Sequence, residues 1–279
     1  MPANTIAFQG VPGAYADLAC RSVYPRMETL PCPSFEDTFL AVEEGRAKYA
    51  MLPVENSIAG RVADIHHLLP EHKLHIVAEH YQRVLHHLLA VPGAKVEDIK
   101  TAKSHPQALA QCRKFLRDRG IKPIAVGDTA GGAKQVAEAG DKTIAGIASS
   151  LAGEIYGLNS LQADIADMAD NTTRFLVMAR EPVAPRPGTF CITSLLFRVR
   201  SVPAALYKAM GGFATCGVNL TKIESYMVGG KFDAAQFYVD VEGHPDERPL
   251  KLALEELAFF ADEIRIFGTY PGHPFRRQS

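Results

Sequence analysis

Apolar and polar positions alternate in two manners along this chain, and the change between them falls near residue 190. "TIAFQG" (residues 5–10) is a short apolar run closed by glycine, as in a buried strand, and "AYADLACRSV" (14–23) repeats apolar side chains at helical spacing. A short strand is expected near "TLPC" (29–32). A helix is expected over "SFEDTFLAVEEG" (34–45), where Ser34 can cap the first turn, Asp37 stands in capping-box position and Gly45 closes the last turn. "YAMLPVENS" (49–57) reads as a third strand running into a polar turn. Strands are then expected at 76–80, 83–91, 99–104, 123–126 and 143–149, with helices over 106–120, 129–139 and 150–156. Alternation of this kind implies a parallel or mostly parallel sheet covered by helices. In such sheets the ligand crevice lies at the carboxyl ends of the strands.

"REPVAPRPGTF" (180–190) reads as a linker, and beyond it the rhythm differs. "CITSLLFRV" (191–199) is an expected strand, "PAALYKAMGGFATCG" (203–217) a helix ending in glycine, and "VNLTKIESYMV" (218–228) another strand. "KFDAAQFYVDV" (231–241) alternates with Ala235, Phe237, Val239 and Val241 on one face. Leu250, Ala253, Leu254 and Leu257 form a helical stripe before a last strand, "EIRIFGTY" (263–270). The order βαββαβ is the ferredoxin-like arrangement. An α/β domain is therefore expected over 1–181, a linker over 182–191 and an α+β domain over 192–279.

Composition adds mainly exclusions. The chain has 279 residues and 47% hydrophobic side chains, enough for two cored domains. Its 30 basic and 31 acidic side chains are nearly balanced and form no long runs, so neither a nucleic-acid nor a membrane partner is expected. Five scattered cysteines without a CxxC pair suggest neither a disulfide framework nor a zinc site. The amino terminus has no secretory pattern, so a cytoplasmic location is expected. Seven of the ten histidines fall between His66 and His87, at spacings that match no metal motif, and are read as structural or surface residues.

Four polar clusters fall at expected strand ends. In "QGVPGAYAD" (9–17), Gly10 and Gly13 open the backbone before a helix, and amides over 10–14, including those of Gly13 and Ala14, suit an anion. In "PVENSIAGRV" (53–62), Glu55, Asn56 and Ser57 could read carboxylate and hydroxyl groups or cap the next helix, and both readings stay open. In "SHPQALAQC" (104–112), Ser104 is an expected N-cap with Pro106 in the first turn. In "DNTTRFLVM" (170–178), Arg174 offers a donor fork that fits a carboxylate, and Thr173 offers a hydroxyl to an oxygen leaving group. No nucleophile elbow, P-loop, dinucleotide fingerprint or metal-ligand pattern is present.

"GVPGAYAD", "PVENSIAG", "SHPQALAQC", "ASSLAGEIYGL" and "NTTRF", in this order, resemble the catalytic domain of prephenate dehydratase. The part from about 192 to 270 resembles the ACT regulatory domain attached to that enzyme. The resemblance implies a catalytic domain of two α/β lobes, similar to type II periplasmic binding proteins, with the substrate between them. It also implies decarboxylating dehydration of prephenate to phenylpyruvate without metal, flavin or nicotinamide, in L-phenylalanine biosynthesis. The threonine before Arg-Phe, here Thr173, would be the proton donor at the departing hydroxyl. Arg174 would hold a substrate carboxylate, with Gly13, Ala14, Asn56, Ser57, Ser104, Asn171 and Phe175 completing the shell. Glu55, repelled by a dianion, is expected to orient a neighbour.

The ACT resemblance implies L-phenylalanine as allosteric effector at a subunit interface, hence a homodimer or homotetramer. Its effector positions would be Ala204, Ala205, Leu206, Asn219, Leu220, Glu224 and Ser225. The sequence departs from the family at Ala204, where glycine is usual, and at Tyr226-Met227, where Arg-Pro is usual. No chorismate mutase segment precedes the first strand, so prephenate is expected from a separate enzyme. The open alternatives are dehydration of arogenate, or a module that only senses phenylalanine or another solute.

Overall fold

The computed structural model describes residues 4–277 apart from 187, 201, 229 and 230, and describes backbone only at 227, 228 and 231–235. The side chains of Met227 and Ala235, singled out in the sequence, therefore lie outside the described residues. Two compact units are formed, Met1–Lys73 with His80–Leu176, and Leu74–Glu79 with Val177–Ser279.

In chain order the first part consists of β1 (Thr5–Gln9), α1 (Tyr15–Val23), β2 (Glu28–Cys32), α2 (Phe35–Glu43), β3 (Tyr49–Asn56), β4 (Gly60–Arg61), α3 (Ala63–Leu68) and β5 (His75–Arg83). Next come β6 (His87–Ala90), β7 (Thr101–Ser104), α4 (Pro106–Gln111), α5 (Arg113–Asp118), β8 (Lys122–Ala125), α6 (Thr129–Ala139), β9 (Ile144–Ala148), α7 (Ser150–Tyr156), β10 (Asn159–Gln162) and β11 (Thr172–Ala179). They make two sheets. One runs β2-β1-β3-β11-β5 with β4 on β3, and the other runs β10-β6-β9-β7-β8. The chain passes from the first sheet to the second through residues 84–86 and returns through 163–171. Main-chain bonds from Val84 N to Asn171 O (2.8 Å) and from Ile165 N to His86 O (3.0 Å) tie the two crossings together.

Several expectations are corrected. The apolar run 83–91 is not one strand, because Arg83 ends β5 in the first sheet, residues 84–86 form the crossing and His87–Ala90 form β6 in the second. An apolar stretch looks the same in sequence whether it pairs once or hands the chain from sheet to sheet. The helix expected over 106–120 breaks at Cys112, whose N–H is shared by the Ala108 and Leu109 carbonyls and whose φ of −112° leaves the helical region. The second sheet is mixed, since β6 pairs antiparallel with both β9 and β10. β4, α3 and β10 were not anticipated. Ser34 does cap α2, accepting from Asp37 N at 3.0 Å while its hydroxyl donates to Asp37 Oδ2 at 2.7 Å.

The second unit carries β12 (Cys191–Val199), α8 (Ala205–Thr215), β13 (Leu220–Val228), β14 (Lys231–Glu242), α9 (Arg248–Phe260) and β15 (Ala261–Pro271), an antiparallel sheet in the order β13-β14-β12-β15. This is the ferredoxin-like arrangement. Leu195, Phe197, Val239 and Val241 face the helices and pack with Phe213, Leu250 and Leu257. The alternate residues Ser194, Tyr238 and Asp240 are also buried. There Asp240 Oδ1 accepts from Ser194 Oγ (2.5 Å) and Tyr238 Oη (2.8 Å). Arg276 closes this side, its guanidinium forked onto the fully buried Glu79 carboxylate at 2.6 and 2.9 Å.

Candidate active site

Within the first unit, strand ends, helix starts and chain crossings enclose a cavity of about 540 Å³. Small-molecule sites typically span roughly 300–1,000 Å³. Gln9, Asn56 and Thr173 reach it from the ends of β1 and β3 and the start of β11, while Val84, His86 and Asn171 reach it from the crossings.

Strand geometry sorts the sequence candidates. Successive side chains on β11 face opposite ways, so Thr173 and Phe175 line the cavity and Arg174 does not. Arg174 is 2% exposed, and its Nη1 donates to Glu55 Oε1 at 3.0 Å. The neighbouring residue on β3, Asn56, takes the cavity side. The guanidinium expected to hold substrate, and the carboxylate expected to orient Asn56 or Ser57, are thus paired with each other away from the cavity wall. Ser57 also lies off the wall. Its hydroxyl donates to Asp170 O (2.8 Å) and accepts from Thr172 N (3.0 Å), stapling the two strand ends. Ser104 is no N-cap but the fully buried last residue of β7, donating to Ile147 O at 2.6 Å. The cap of α4 is His105, which accepts from Gln107 N through Nδ1.

The expected anion-binding amides are shifted along the chain. Gly10 N donates to Cys32 O, Ala14 N to Val11 O, and Gly13 N to the Asp17 carboxylate at 2.9 Å. Gly13 serves packing, because a Cβ there would stand 2.8 Å from Ala152 Cα, and its positive φ of 89° suits glycine. Ala14, Tyr15 and Ala16 do line the cavity, and among the described residues the amides of Tyr15 and Ala16 have no acceptor. The start of α6 also reaches the wall, but Asp128 caps it with its own carboxylate, accepting from Gly131 N at 2.6 Å.

One hydrogen-bonded chain runs through the wall. Asn56 Nδ2 donates to Thr173 Oγ1 (3.0 Å) and Asn171 Oδ1 (2.7 Å), and Asn171 Nδ2 donates to Gln111 Oε1 (2.8 Å). The same Gln111 oxygen lies 2.8 Å from His86 Nε2, and His86 Nδ1 lies 2.8 Å from the Tyr15 hydroxyl. His86 is 2% exposed, and burial pushes its pKa below the ordinary imidazole value, which favours the neutral ring. Tyr15, His86 and Gln111 are members of this hydrogen-bonded chain that sequence reasoning missed. Gln111 closes the motif 104–112 and was in view, whereas nothing local distinguished His86 from the other histidines around it. Among the described residues no His, Cys, Asp or Glu group could hold a metal ion, and no helix is long and apolar enough to cross a membrane.

In the second unit, Ala204 is the N-cap of α8 with a left-handed φ of 60°. Ala205 is buried and Leu206 packs against the core. Asn219 accepts from Glu242 N through its carbonyl (2.9 Å). Leu220, Glu224 and Ser225 lie on the edge strand β13, where Lys222 Nζ donates to Glu224 at 3.1 Å.

A family model described as prephenate dehydratase matches residues 6–183. A bifunctional N-acyl-homoserine lactone acylase/prephenate dehydratase of Komagataeibacter europaeus is 53% identical over 274 residues, 98% of each chain. Arogenate dehydratase/prephenate dehydratase 2 of Arabidopsis thaliana, a chloroplast protein, is 42% identical over 275 residues, 95% of this chain and 72% of that one. The solved structure of prephenate dehydratase from Arthrobacter aurescens in complex with L-Phe aligns at a TM-score of 0.88 with 29% identity, covering 96% of this chain and 90% of that one. With the model matching well over half its length and near-full-length relatives at this identity, the chain belongs to the prephenate dehydratase family.

Proposed function

We propose that the chain converts prephenate to phenylpyruvate, carbon dioxide and water, with Thr173 as the donor to the departing hydroxyl. The carrying observation is the polarity at Thr173. Its Oγ1 already accepts from Asn56, so its own hydrogen is available to the cavity it lines. In the reaction the bond to the ring carboxylate breaks, its electron pair enters the ring, and the C–O bond opposite breaks. The leaving hydroxide takes one proton to become water. The dianion consumes one proton overall, and aromaticity of the product drives the step. A threonine hydroxyl is a weak acid, so its contribution is a positioned hydrogen bond that strengthens as charge develops on the leaving oxygen. The acceptor-less amides of Tyr15 and Ala16 at the start of α1 offer the dianion a positive helix end.

The second unit, taken as an ACT domain over 192–279, would bind L-phenylalanine around the start of α8 and along β13. The L-Phe complex of the Arthrobacter relative supports this reading. β13 is an edge strand with Ile223 47% exposed, which supports a homodimer or homotetramer built through that edge.

A second reading has its own support. The relative that is 53% identical over almost its whole length is named for acylase as well as dehydratase activity. Hydrolysis of an N-acyl-homoserine lactone amide is therefore a candidate second reaction. Incubation of the purified chain with prephenate, arogenate and an N-acyl-homoserine lactone, with products identified by mass, separates the readings. Phenylpyruvate from prephenate is the expected main product. Phenylalanine from arogenate alone would replace the substrate, and homoserine lactone release without either dehydration would overturn the proposal.

A further inference from the structure

A fixed direction of hydrogen bonding runs through the cavity wall and ends on a donor group without an acceptor. The backbone amides of Ile58 and Ala59 can only donate, so the Asn56 atom facing them at 3.0 and 2.8 Å is its carbonyl oxygen. The Asn56 amide group therefore faces Asn171 and Thr173, which turns Asn171 with its oxygen toward Asn56 and its amide toward Gln111. Gln111 must then present Oε1 to Asn171. Because the same oxygen lies against His86 Nε2, that nitrogen carries the imidazole proton, and Nδ1 is left as one of two acceptors, with Leu85 O at 2.7 Å, around the single Tyr15 hydroxyl hydrogen. Two donors occupy Oε1, so the Gln111 Nε2 group is turned away from both. It has no acceptor among the described residues, and Gln111 lines the cavity.

We propose that Gln111 binds a carboxylate of the substrate through its Nε2 hydrogens, held in that orientation by Asn171 and His86. The inference rests on the dehydratase reading and adds a binding residue to it. The two carboxylates of the dianion have opposite fates. One departs as carbon dioxide, and a hydrogen bond to it stabilises a charge that fades in the transition state, which opposes the reaction. The other stays on the side chain and keeps its charge throughout. Gln111 is assigned to that retained carboxylate, where a donor assists binding without slowing the chemistry.

The rival account is that Gln111 only braces Asn171 and His86. Gln111→Glu keeps an acceptor oxygen for both neighbours and replaces the donor hydrogens with a carboxylate oxygen, so it separates the two. Phenylpyruvate, which retains the carboxylate in question, is the probe in titration calorimetry, beside steady-state kinetics on prephenate. Gln111→Glu is expected to weaken phenylpyruvate binding by about 30-fold, the loss of a hydrogen bond to a charged group, and to raise KM with kcat nearly unchanged. Phenylpyruvate affinity within twofold of the unaltered chain, or a fall in kcat at constant KM, overturns the assignment. If this variant does not fold, Gln111→Met, which loses donor and acceptor alike, is titrated instead. Weaker phenylpyruvate binding with kcat nearly unchanged supports the assignment, whereas unchanged affinity, or a fall in kcat from the loss of bracing at Asn171 beside Asn56 and Thr173, overturns it. Absence of turnover by the unaltered chain would sink the dehydratase reading alone, whereas absence of phenylpyruvate binding by it would sink the Gln111 assignment.

Discussion

Asn56→Asp changes one group at the cavity from donor to acceptor with almost no change of shape. One carboxylate oxygen can still accept from Ile58 N and Ala59 N, as the Asn56 oxygen does. The other takes the place of Nδ2, which lies 2.7 Å from Asn171 Oδ1 and 3.0 Å from Thr173 Oγ1. Two acceptors at that separation repel, and the available relief is for the Thr173 hydroxyl to turn and donate to the new carboxylate. The proton assigned to the leaving hydroxyl is then drawn out of the cavity. Returning it costs a hydrogen bond to a charged acceptor, about 1.5–3 kcal/mol, which is about 10- to 150-fold in kcat at 1.36 kcal/mol per decade. Phenylpyruvate formation at saturating prephenate measures the loss, and a thermal melt checks that the variant is folded. The deficit relative to the unaltered chain should shrink as pH falls toward the carboxyl pKa of about 3.9, because the protonated group regains a hydrogen. A folded variant with kcat within threefold of the unaltered chain would refute the role given to Asn56 and the direction of the network.

The remaining predictions concern the second unit. Ala204 has a φ of 60°, a conformation that costs an L-residue about 1–2 kcal/mol. Against an entropic cost of roughly 0.5–1 kcal/mol for glycine, Ala204→Gly should raise stability by about 0.5–1 kcal/mol in urea denaturation, and a loss of stability would contradict the backbone geometry. Arg276→Ala removes the forked partner of the fully buried Glu79 carboxylate. It should cost about 3–5 kcal/mol, as breaking a buried ion pair does, and a loss under 1 kcal/mol in the same assay would show the pair to be dispensable.

Much of the fold was legible because local signals agreed. Ser34 with Asp37, the alternation from Phe237 to Val241 and the stripe from Leu250 to Leu257 each marked an element that formed as expected. The failures have physical causes. Residues 83–91 carry no sign that the chain changes sheets at His86, since both sheets take an apolar strand. Ser104 resembled a cap because a serine two positions before a proline fits a helix start, yet as the last residue of β7 it is buried and bonded to Ile147 O, and His105 takes the cap. At the candidate site, the motif 170–178 contributes to the cavity wall, but its division into two faces depends on the phase of β11. Thr173 and Phe175 took the cavity side, and Arg174 turned to Glu55. The bonds from Asn56 to Asn171 and Thr173 span more than a hundred residues, and that of His86 to Gln111 joins separate segments. No local pattern could have revealed them.

The central claim is that the Thr173 hydroxyl supplies the hydrogen bond to the departing hydroxide. Its most direct test is the rate of phenylpyruvate formation from prephenate by the unaltered chain, Thr173→Ser and Thr173→Ala at saturating substrate. The account predicts that Ser, which keeps the hydroxyl, retains activity to within about tenfold, while Ala loses at least about 100-fold, as removal of a positioned proton donor does. Alanine turning over at a rate close to that of the unaltered chain would contradict it.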